Sequence, residues 1–352
     1  MNKKIVVLGT GGTIAGASKH AQDNVGYAPG QVGVRELFDA AMSGLTREME
    51  IEIEQIAQID SKDMSFQVWA QLAQRAHHHL VQDDVKSVLV THGTDTLEET
   101  AYFLHRLFQL GAQGVARRIK PLVITCAMRP STALSPDGPQ NLRDALVVAQ
   151  DQFSHGVLVV CAAKIHTALA VRKVYSYQPD AFDSGEAGPI GWVEEGRVRW
   201  MSEVALLDQV VWNLAGLPAW LTDPESWPRV ELLTSHVGAD GMVVDALLKY
   251  PGRPVYSPQD GPGGGPMKDR KLEGLVVAGT GNGTLHIDLV RALREARNVG
   301  IRVVRVSRCA RGSVIAVPGD EFESGEGLSA VKARIDLMFD LLAHRRGSSH
   351  LL

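Results

Sequence analysis

The chain has 352 residues, of which 45% are hydrophobic and 22% are charged, a composition typical of a globular protein with one large or two medium domains. A formal net charge of -4 without long lysine or arginine runs argues against nucleic-acid binding, and three widely spaced cysteines argue against a disulfide framework or a zinc site. No apolar run reaches the roughly 20 residues of a membrane span, and the N-terminus lacks a signal-peptide core, so we expect a cytoplasmic protein without membrane partners.

The first predicted element is a buried parallel strand at residues 5–8, followed by the loop G-T-G-G-T-I-A-G at residues 9–16. Neither glycine-rich nucleotide motif fits this loop. A dinucleotide fingerprint would need glycine or alanine where Ile14 stands, and a Walker A loop would need lysine where Ala17 stands. The remaining interpretation is a loop whose glycines let the backbone approach a ligand closely, with the hydroxyl of Thr13 at its centre.

A polar loop at residues 23–33 comes next, with Tyr27 as its only aromatic residue. A lone tyrosine in a loop is usually a packing anchor, so a functional role depends on what lies beside it. A helix is predicted at residues 34–43. Alternating apolar and polar residues predict a second strand at residues 51–59.

That strand is followed by the polar sequence D-S-K-D-M at residues 60–64, before a predicted helix at residues 66–80. Ser61 at this strand end is by default a helix cap. Three consecutive histidines, residues 77–79, lie at the end of the helix. Consecutive helical side chains point roughly 100° apart, so the three cannot bind one metal ion together, and we interpret them as a solvated helix end.

The stretch V-T-H-G-T-D-T-L-E-E-T at residues 90–100 predicts a strand end, a turn and the start of a helix. Thr96 and Glu99 have the spacing of a capping box, which places the helix N-terminus there. Thr94 and Asp95 then lie in the turn, where backbone N–H groups and the helix macrodipole favour anionic groups. A hydroxyl beside a carboxylate at this position suggests catalysis.

Strands and helices continue to alternate along the chain, which predicts βαβ units and parallel sheets whose ligands bind beyond the carboxyl ends of the strands. The predicted elements are strands at residues 121–125 and 157–162, a helix at 141–152, a strand pair at 191–200, and later strands at 231–233, 275–278 and 303–306, with helices at 239–250, 285–297 and 328–344.

The fold class is therefore α/β, with a parallel-sheet amino-terminal domain at residues 1–200 and a smaller α/β carboxy-terminal domain at residues 229–352. Residues 201–228, rich in tryptophan, proline and aspartate, are predicted to be a linker. Dense proline and glycine predict an irregular loop at residues 251–266, and the tail from residue 345 onward is predicted to be disordered.

The motifs together resemble the bacterial-type L-asparaginase family. The loop at residues 9–16 and the sequence H-G-T-D-T-L-E-E-T-A at residues 92–101 correspond to its two signatures. Further matching sequences keep the family's order: D-S-K-D-M at residues 60–64, A-M-R-P-S-T at 127–132, D-G-P-x-N-L at 137–142 and G-T-G-N-G at 279–283. The resemblance implies an amidohydrolase that converts L-asparagine to L-aspartate and ammonia without a cofactor or metal.

By this resemblance, Thr13 is the nucleophile that forms an acyl-enzyme, with Tyr27 beside it. Thr94, Asp95 and Lys173 form a second catalytic cluster. The resemblance also implies substrate-binding residues and a homotetramer built from dimers, in which a neighbouring subunit completes each site. The substrate-binding residues would be Ser61, Lys62, Thr94, Asp95, Ala127 and Asn282, with Asn282 supplied by the neighbour.

The residue types fit amide hydrolysis, because a threonine hydroxyl needs a base and the tetrahedral oxyanion needs donors. The base is either Tyr27 as a phenolate or a relay through Thr94 and a neutral Lys173, and the sequence leaves both open. Backbone N–H groups of Thr13 and Ala127 are candidate oxyanion donors. Lys62 stands where some family members carry glutamine, which puts glutaminase side activity in doubt.

Two alternative functions remain. A non-catalytic amino-acid sensor would keep the binding residues Ser61 and Asp95, but would have little reason to keep both threonine clusters. An ammonia-supplying subunit of a tRNA amidotransferase also resembles this family. Such subunits carry an additional amino-terminal domain, whereas the first signature here begins at residue 9.

Overall fold

The structure is a computed structural model that describes residues 3–43, 50–109, 120–201, 216–250 and 270–345. The chain divides into two compact units, Met1–Pro218 and Ala219–Leu352. The predicted loop at residues 251–266, part of the predicted linker and all but the first residue of the predicted tail lie outside the described residues. No described helix combines the length and apolar character needed to cross a membrane.

The first unit contains one sheet of eight described strands in the order β10-β9-β6-β5-β4-β3-β1-β2. Its five strands from β5 to β2 are parallel, and β6, β9 and β10 run antiparallel at one edge. A separate ribbon pairs β7 with β8. The bounds are β1 Lys4–Gly11, β2 Ile51–Ile59, β3 Val85–Thr91, β4 Leu122–Thr125, β5 Val157–Cys161, β6 Lys164–Thr167, β7 Arg172–Lys173, β8 Phe182–Asp183, β9 Gly191–Glu194 and β10 Arg197–Trp200.

Four described α-helices cover this sheet: α1 Val34–Ala41, α2 Phe66–Leu80, α3 Leu97–Gln109 and α4 Gly138–Gln150. The central strands β3, β4 and β5 are buried almost throughout, because helices cover both faces of a parallel sheet. Burial on both faces explains why the sequences of these strands are continuous apolar runs. The predicted α/β class with a parallel amino-terminal sheet is confirmed.

The interpretation of residues 77–79 as a solvated helix end is wrong for His79. This side chain is buried, and its Nε2 lies 3.1 Å from Oε2 of Glu54 on β2. Arg75, one turn earlier, donates two hydrogen bonds to the same carboxylate. Because α2 turns by roughly 100° per residue, one of three consecutive side chains faces the sheet while His78 faces solvent.

The second unit is a smaller parallel α/β domain, as predicted. Its described strands pair in the order β11-β12-β13-β14, and α5, α6 and α7 accompany them. Short 3-10 turns at Ala219–Thr222 and Pro224–Ser226 precede the sheet and bring Trp220 and Trp227 into edge-to-face contact. The bounds are β11 Arg229–Thr234, α5 Met242–Lys249, β12 Leu272–Gly279, α6 Ile287–Asn298, β13 Arg302–Ser307, β14 Glu323–Ser324 and α7 Ala330–His344.

A close glycine contact joins the carboxyl ends of β1 and β3. Gly12 has φ 82 and ψ -168, a conformation that is essentially limited to glycine. A Cβ on Gly12 would lie 2.2 Å from Cα of Gly93, and a Cβ on Gly93 would lie 2.5 Å from Oγ of Ser61. The ends of β1, β2 and β3 can therefore approach one another only because Gly12 and Gly93 lack side chains.

The turn between β5 and β6 is strained. Ala162 and Ala163 both have positive φ, 49° and 61°. Two-residue hairpin turns of this kind normally carry asparagine or glycine. For an L-residue with a Cβ this region costs about 1–2 kcal/mol, so the surrounding contacts must hold the turn in place.

We predict that Gly12→Ala prevents formation of the native strand-end contact, because the new methyl group would meet the backbone of Gly93, which cannot rotate away as a side chain can. The expected loss of stability is at least about 3 kcal/mol, measured by urea unfolding and by soluble yield. Gly216→Ala is the matched control, since its Cβ meets no atom within 4 Å. Equal stability of the two variants would contradict the close contact.

Candidate active site

Thr13 and Tyr27 form the first hydroxyl pair of the site. Thr13 begins the 3-10 turn Thr13–Ala15 directly after β1 and is 7% exposed. Its Oγ1 lies 2.6 Å from Oη of Tyr27, a short hydrogen bond between two hydroxyls. The tyrosine ring packs on Gly16, where a Cβ would lie 2.7 Å from Cδ2 of the ring. The predicted pairing of these residues is thus present in the structure.

Backbone hydrogen bonds hold the loop that carries Tyr27. Ala17 N–H donates to Ala28 O and Ala28 N–H donates to Ala17 O, at 3.0 and 2.9 Å. This bridge closes the loop one residue after the tyrosine. The phenol is therefore positioned by main-chain contacts at the neck of the loop.

The Tyr27 phenol is held in its neutral form. Partial burial raises its pKa above the usual value, against the hydrogen bond from Thr13, which lowers it. The negative charges of Asp60 and Asp95 raise the pKa further. A phenolate waiting in the resting site is therefore disfavoured, so Tyr27 can take a proton from Thr13 only by giving up its own.

Thr94, Asp95 and Lys173 form a second cluster. Lys173 Nζ donates to Oγ1 of Thr94 at 2.8 Å and pairs with Oδ1 of Asp95 at 2.6 Å. Thr94 is buried, and the Asp95 side chain is 54% exposed. Lys173 lies on β7, and its backbone N–H donates to Oε2 of Glu98 on α3 at 3.2 Å. The structure thus brings Lys173 into contact with Thr94 and Asp95, which lie 79 and 78 residues earlier in the sequence.

Ser61 connects this cluster to the end of β2. It begins the 3-10 turn Ser61–Asp63 and is 3% exposed. Its Oγ accepts the backbone N–H of Asp95 at 3.2 Å, and its carbonyl accepts a hydrogen bond from Thr96 Oγ1 at 2.7 Å. A hydroxyl that accepts one bond keeps its own proton for a further acceptor, such as a substrate carboxylate.

Lys62 follows Ser61 but points to solvent, with 62% of its side chain exposed. Its Nζ pairs with Asp60 and lies 3.4 Å from Oδ2 of Asp63. The hydrogen bond with Asp60 raises the pKa of Lys62, which keeps the ammonium charged. A cation therefore stands next to the residue that is predicted to hold one end of the substrate.

The two remaining predicted residues have different surroundings. Ala127 follows β4, is fully buried and packs with Ile14 in a small apolar cluster. Asn282 belongs to the second unit, where its Nδ2 donates to Ile315 O at 3.0 Å and its Oδ1 accepts Ile315 N–H at 2.7 Å. The carboxamide of Asn282 thus fixes a backbone segment in its own unit.

A buried chain of hydrogen bonds supports the turn that carries Thr94, and the sequence alone did not predict it. Trp69 Nε1 donates to Oγ1 of Thr100 at 2.8 Å, and this hydroxyl lies 2.9 Å from Nε2 of His92. The proton of Thr100 therefore goes to His92 Nε2, and Nδ1 of His92 donates to Gly93 O at 2.7 Å. His92 and Thr100 both lie in the stretch at residues 90–100, but nothing in the sequence links them to Trp69.

Burial lowers the pKa of His92 to about 4, against the hydrogen bond to Gly93, which raises it. The neutral imidazole is thus a structural support. It fixes the carbonyl of Gly93, the residue immediately before Thr94.

Both units of the chain match known protein families. Residues 4–206 match the family described as Asparaginase, N-terminal, and residues 229–348 match the Glutaminase/Asparaginase C-terminal domain. L-asparaginase 2 of Bacillus subtilis is 31% identical over 344 residues, covering 96% of this chain and 82% of the relative. L-asparaginase 2 of Escherichia coli is 32% identical over 311 residues, covering 88% and 79%.

A solved structure is also similar. The crystal structure of a probable cytoplasmic L-asparaginase from Campylobacter jejuni matches with a TM-score of 0.79 and 33% identity, over 97% of this chain and 95% of that chain. The similarity therefore extends through both units.

We predict that the folded protein loses stability in acid because His92 is buried in its neutral form. Above pH 6.5 the residue is neutral in both folded and unfolded chains, so its contribution is fully present there. As the pH falls from 6.5 towards 4, only the unfolded chain takes up the proton, and about 3 kcal/mol is lost. Urea unfolding of the wild type and His92→Gln at pH 7 and pH 5 measures this. An equal loss in both proteins would contradict it.

Proposed function

The chain belongs to the asparaginase family, and on this premise we propose that it hydrolyses the side-chain amide of L-asparagine to L-aspartate and ammonia. The observation that carries the proposal is the pair of hydrogen-bonded threonines, Thr13 with Tyr27 and Thr94 with Lys173, which follow neighbouring strands of one parallel sheet. Two positioned hydroxyls suit a reaction with two steps, acylation and hydrolysis.

In the first step, Oγ1 of Thr13 attacks the amide carbon. Its proton passes to Oη of Tyr27, and Tyr27 gives its own proton to the leaving nitrogen, in keeping with a raised phenol pKa. Backbone N–H groups of Thr13 and Ala127 stabilise the oxyanion, each contributing about 3 kcal/mol. The C–N bond breaks, ammonia leaves, and an aspartyl ester of Thr13 remains.

In the second step, water attacks the ester carbon. Thr94 and Lys173 position this water, because the lysine ammonium occupies a lone pair of Thr94 and leaves the threonine proton free to turn towards the water. One water proton returns to Thr13 Oγ1 through Tyr27, and aspartate is released. Tyr27 thus ends the cycle as it began, as a neutral phenol.

The ends of the amino acid are held by Ser61 and Asp95. The Ser61 hydroxyl donates to the substrate carboxylate, and the exposed Asp95 carboxylate accepts from the substrate ammonium. Asp95 also pairs with Lys173, so substrate binding and water positioning share one carboxylate.

The enzyme is further proposed to be a cytoplasmic homotetramer built from dimers. Its three cysteines are free, including Cys126 and Cys161, whose sulfurs are 3.7 Å apart, and thiols this close persist in a reducing compartment. Asn282 of a neighbouring copy would complete each site, using the second N–H of its carboxamide. A fully active monomer in light scattering would exclude the shared site.

The nucleophile is tested by ammonia release from L-asparagine. Thr13→Ala should lose at least about a hundredfold in kcat, because no hydroxyl remains to form the ester, while Thr13→Ser keeps measurable activity. Thr94→Val should also lose at least about tenfold, since its hydroxyl no longer positions water. Hydroxylamine should trap the wild-type ester as a hydroxamate.

Equal activity in the wild type, Thr13→Ala and Thr94→Val would refute the assignment. Tight asparagine binding without ammonia release would favour the sensor function instead. A product that forms only with tRNA present would favour the amidotransferase subunit.

Lys62 is predicted to favour asparagine over glutamine. Glutamine has one more methylene than asparagine, so we expect its ammonium end to lie further from Thr13, where the charged Lys62 would repel it. Lys62→Gln should therefore raise the glutamine-to-asparagine ratio of kcat/KM by roughly fivefold. The exposed Lys271→Gln is the control, and an unchanged ratio in Lys62→Gln would remove this role.

A further inference from the structure

Asn141 is a buried side chain at the start of α4 that no step of the reaction uses. It is 3% exposed. Its Nδ2 donates to Cys126 O at 3.0 Å and to Oδ2 of Asp137 at 3.3 Å. Its Oδ1 accepts the N–H of Ala162 at 3.0 Å. The carboxamide thus connects the ends of β4 and β5 to the helix.

Asp137 stands one turn before Asn141, at the N-cap of α4, yet its side chain makes no capping hydrogen bond. The carboxylate accepts Met128 N–H and Arg129 N–H instead, both at 2.9 Å. A capping interaction typically contributes about 1 kcal/mol, and the helix forgoes it. The carboxylate is used to fix the backbone that follows β4.

These contacts determine how the polar groups of Ala127 point. A trans peptide is planar, so its C=O and N–H point in opposite directions, and the described residues contain no cis peptide. Because Cys126 C=O points to Asn141, the N–H of Ala127 points away from it. Because Met128 N–H points to Asp137, the C=O of Ala127 also points away from the start of α4.

The start of α4 packs directly behind Ala127. A Cβ on Gly138 would lie 3.4 Å from Cβ of Ala127 and 3.0 Å from Cγ1 of Ile14, the residue after Thr13. An N–H and a C=O from one residue match a primary carboxamide, which accepts through its oxygen and donates through its nitrogen. A carboxylate cannot make the second of these bonds.

We propose that Asn141 and Asp137 are positioning residues that hold both peptide groups of Ala127 towards the reacting carboxamide, and so adapt the site to the amide more than to the carboxylate product. This rests on the proposed asparagine hydrolysis. The side chain of Asn141 is itself prevented from rotating, because its Nδ2 donates to Cys126 O and its Oδ1 accepts from the N–H of Ala162 in the strained turn.

The test uses Asn141→Asp and Asp137→Asn, which keep the size of each side chain. Asn141→Asp still accepts from Ala162 N–H, but places an oxygen against Cys126 O. We expect kcat for asparagine to fall at least about tenfold, because a misaligned oxyanion donor acts mainly in the transition state. The KM for asparagine should rise, because the amide loses its acceptor, whereas the inhibition constant of L-aspartate should change less than about twofold. Gln150→Ala, exposed on the same helix, should match the wild type.

An unchanged kcat would overturn the proposal. A fall in kcat with an equal loss of aspartate affinity would also overturn it, since general damage to the site affects both. Asp137→Asn keeps the test valid if Asn141→Asp does not fold. If the wild type releases no ammonia from asparagine, the proposed function fails separately. Crystal structures of the wild type and the variants then decide, and an unmoved Cys126 carbonyl in Asn141→Asp would refute the positioning role.

Discussion

The contact between Gly12 and Gly93 is the constraint on which the site depends. Both glycines follow neighbouring parallel strands, and a side chain on either would force the two loops apart. Thr10 Oγ1 strengthens the same junction by donating to Thr91 O at 3.0 Å. Because the threonines come directly after the two glycines, backbone packing sets the relative position of the reactive hydroxyls before any catalytic side chain makes a contact.

The two hydroxyls have different electrostatic surroundings, which supports giving them different roles. Thr13 lies beside a neutral phenol, while Thr94 accepts a hydrogen bond from the lysine of an ion pair. A hydroxyl oxygen that already accepts from an ammonium is a weaker nucleophile, and its proton is directed elsewhere. The surroundings therefore favour attack by Thr13 and a supporting role for Thr94.

Much of the fold was predictable from the sequence, because buried parallel strands read as continuous apolar runs and their ends carry the hydroxyl residues. The bounds of β2 and α2 followed from periodicity alone. The roles of Tyr27 and Lys173 came only from the family resemblance, since each meets its partner through tertiary contact. The period of the apolar residues predicts which face of a helix or strand is buried. It does not predict which residue of another element packs against that face.

For the same reason the buried polar residues were missed. His79 looks like a solvated helix end until Glu54 on β2 is placed opposite it, and Trp69 donates to the Thr100 hydroxyl that contacts the buried His92. A polar side chain can be buried only when its partner is supplied, and these partners lie 23 or more residues away in the sequence. Asn141 differs, because its motif was visible in the sequence but the contacts of its side chain were not.

The backbone bridge between Ala17 and Ala28 has an evolutionary consequence. Main-chain hydrogen bonds do not depend on side-chain identity, so the loop tip can drift in sequence and length without displacing the phenol. Gly16 contacts the ring, and Tyr27 itself bonds to Thr13. A change of sequence at the loop tip therefore leaves the backbone bridge, and with it the position of the phenol, in place.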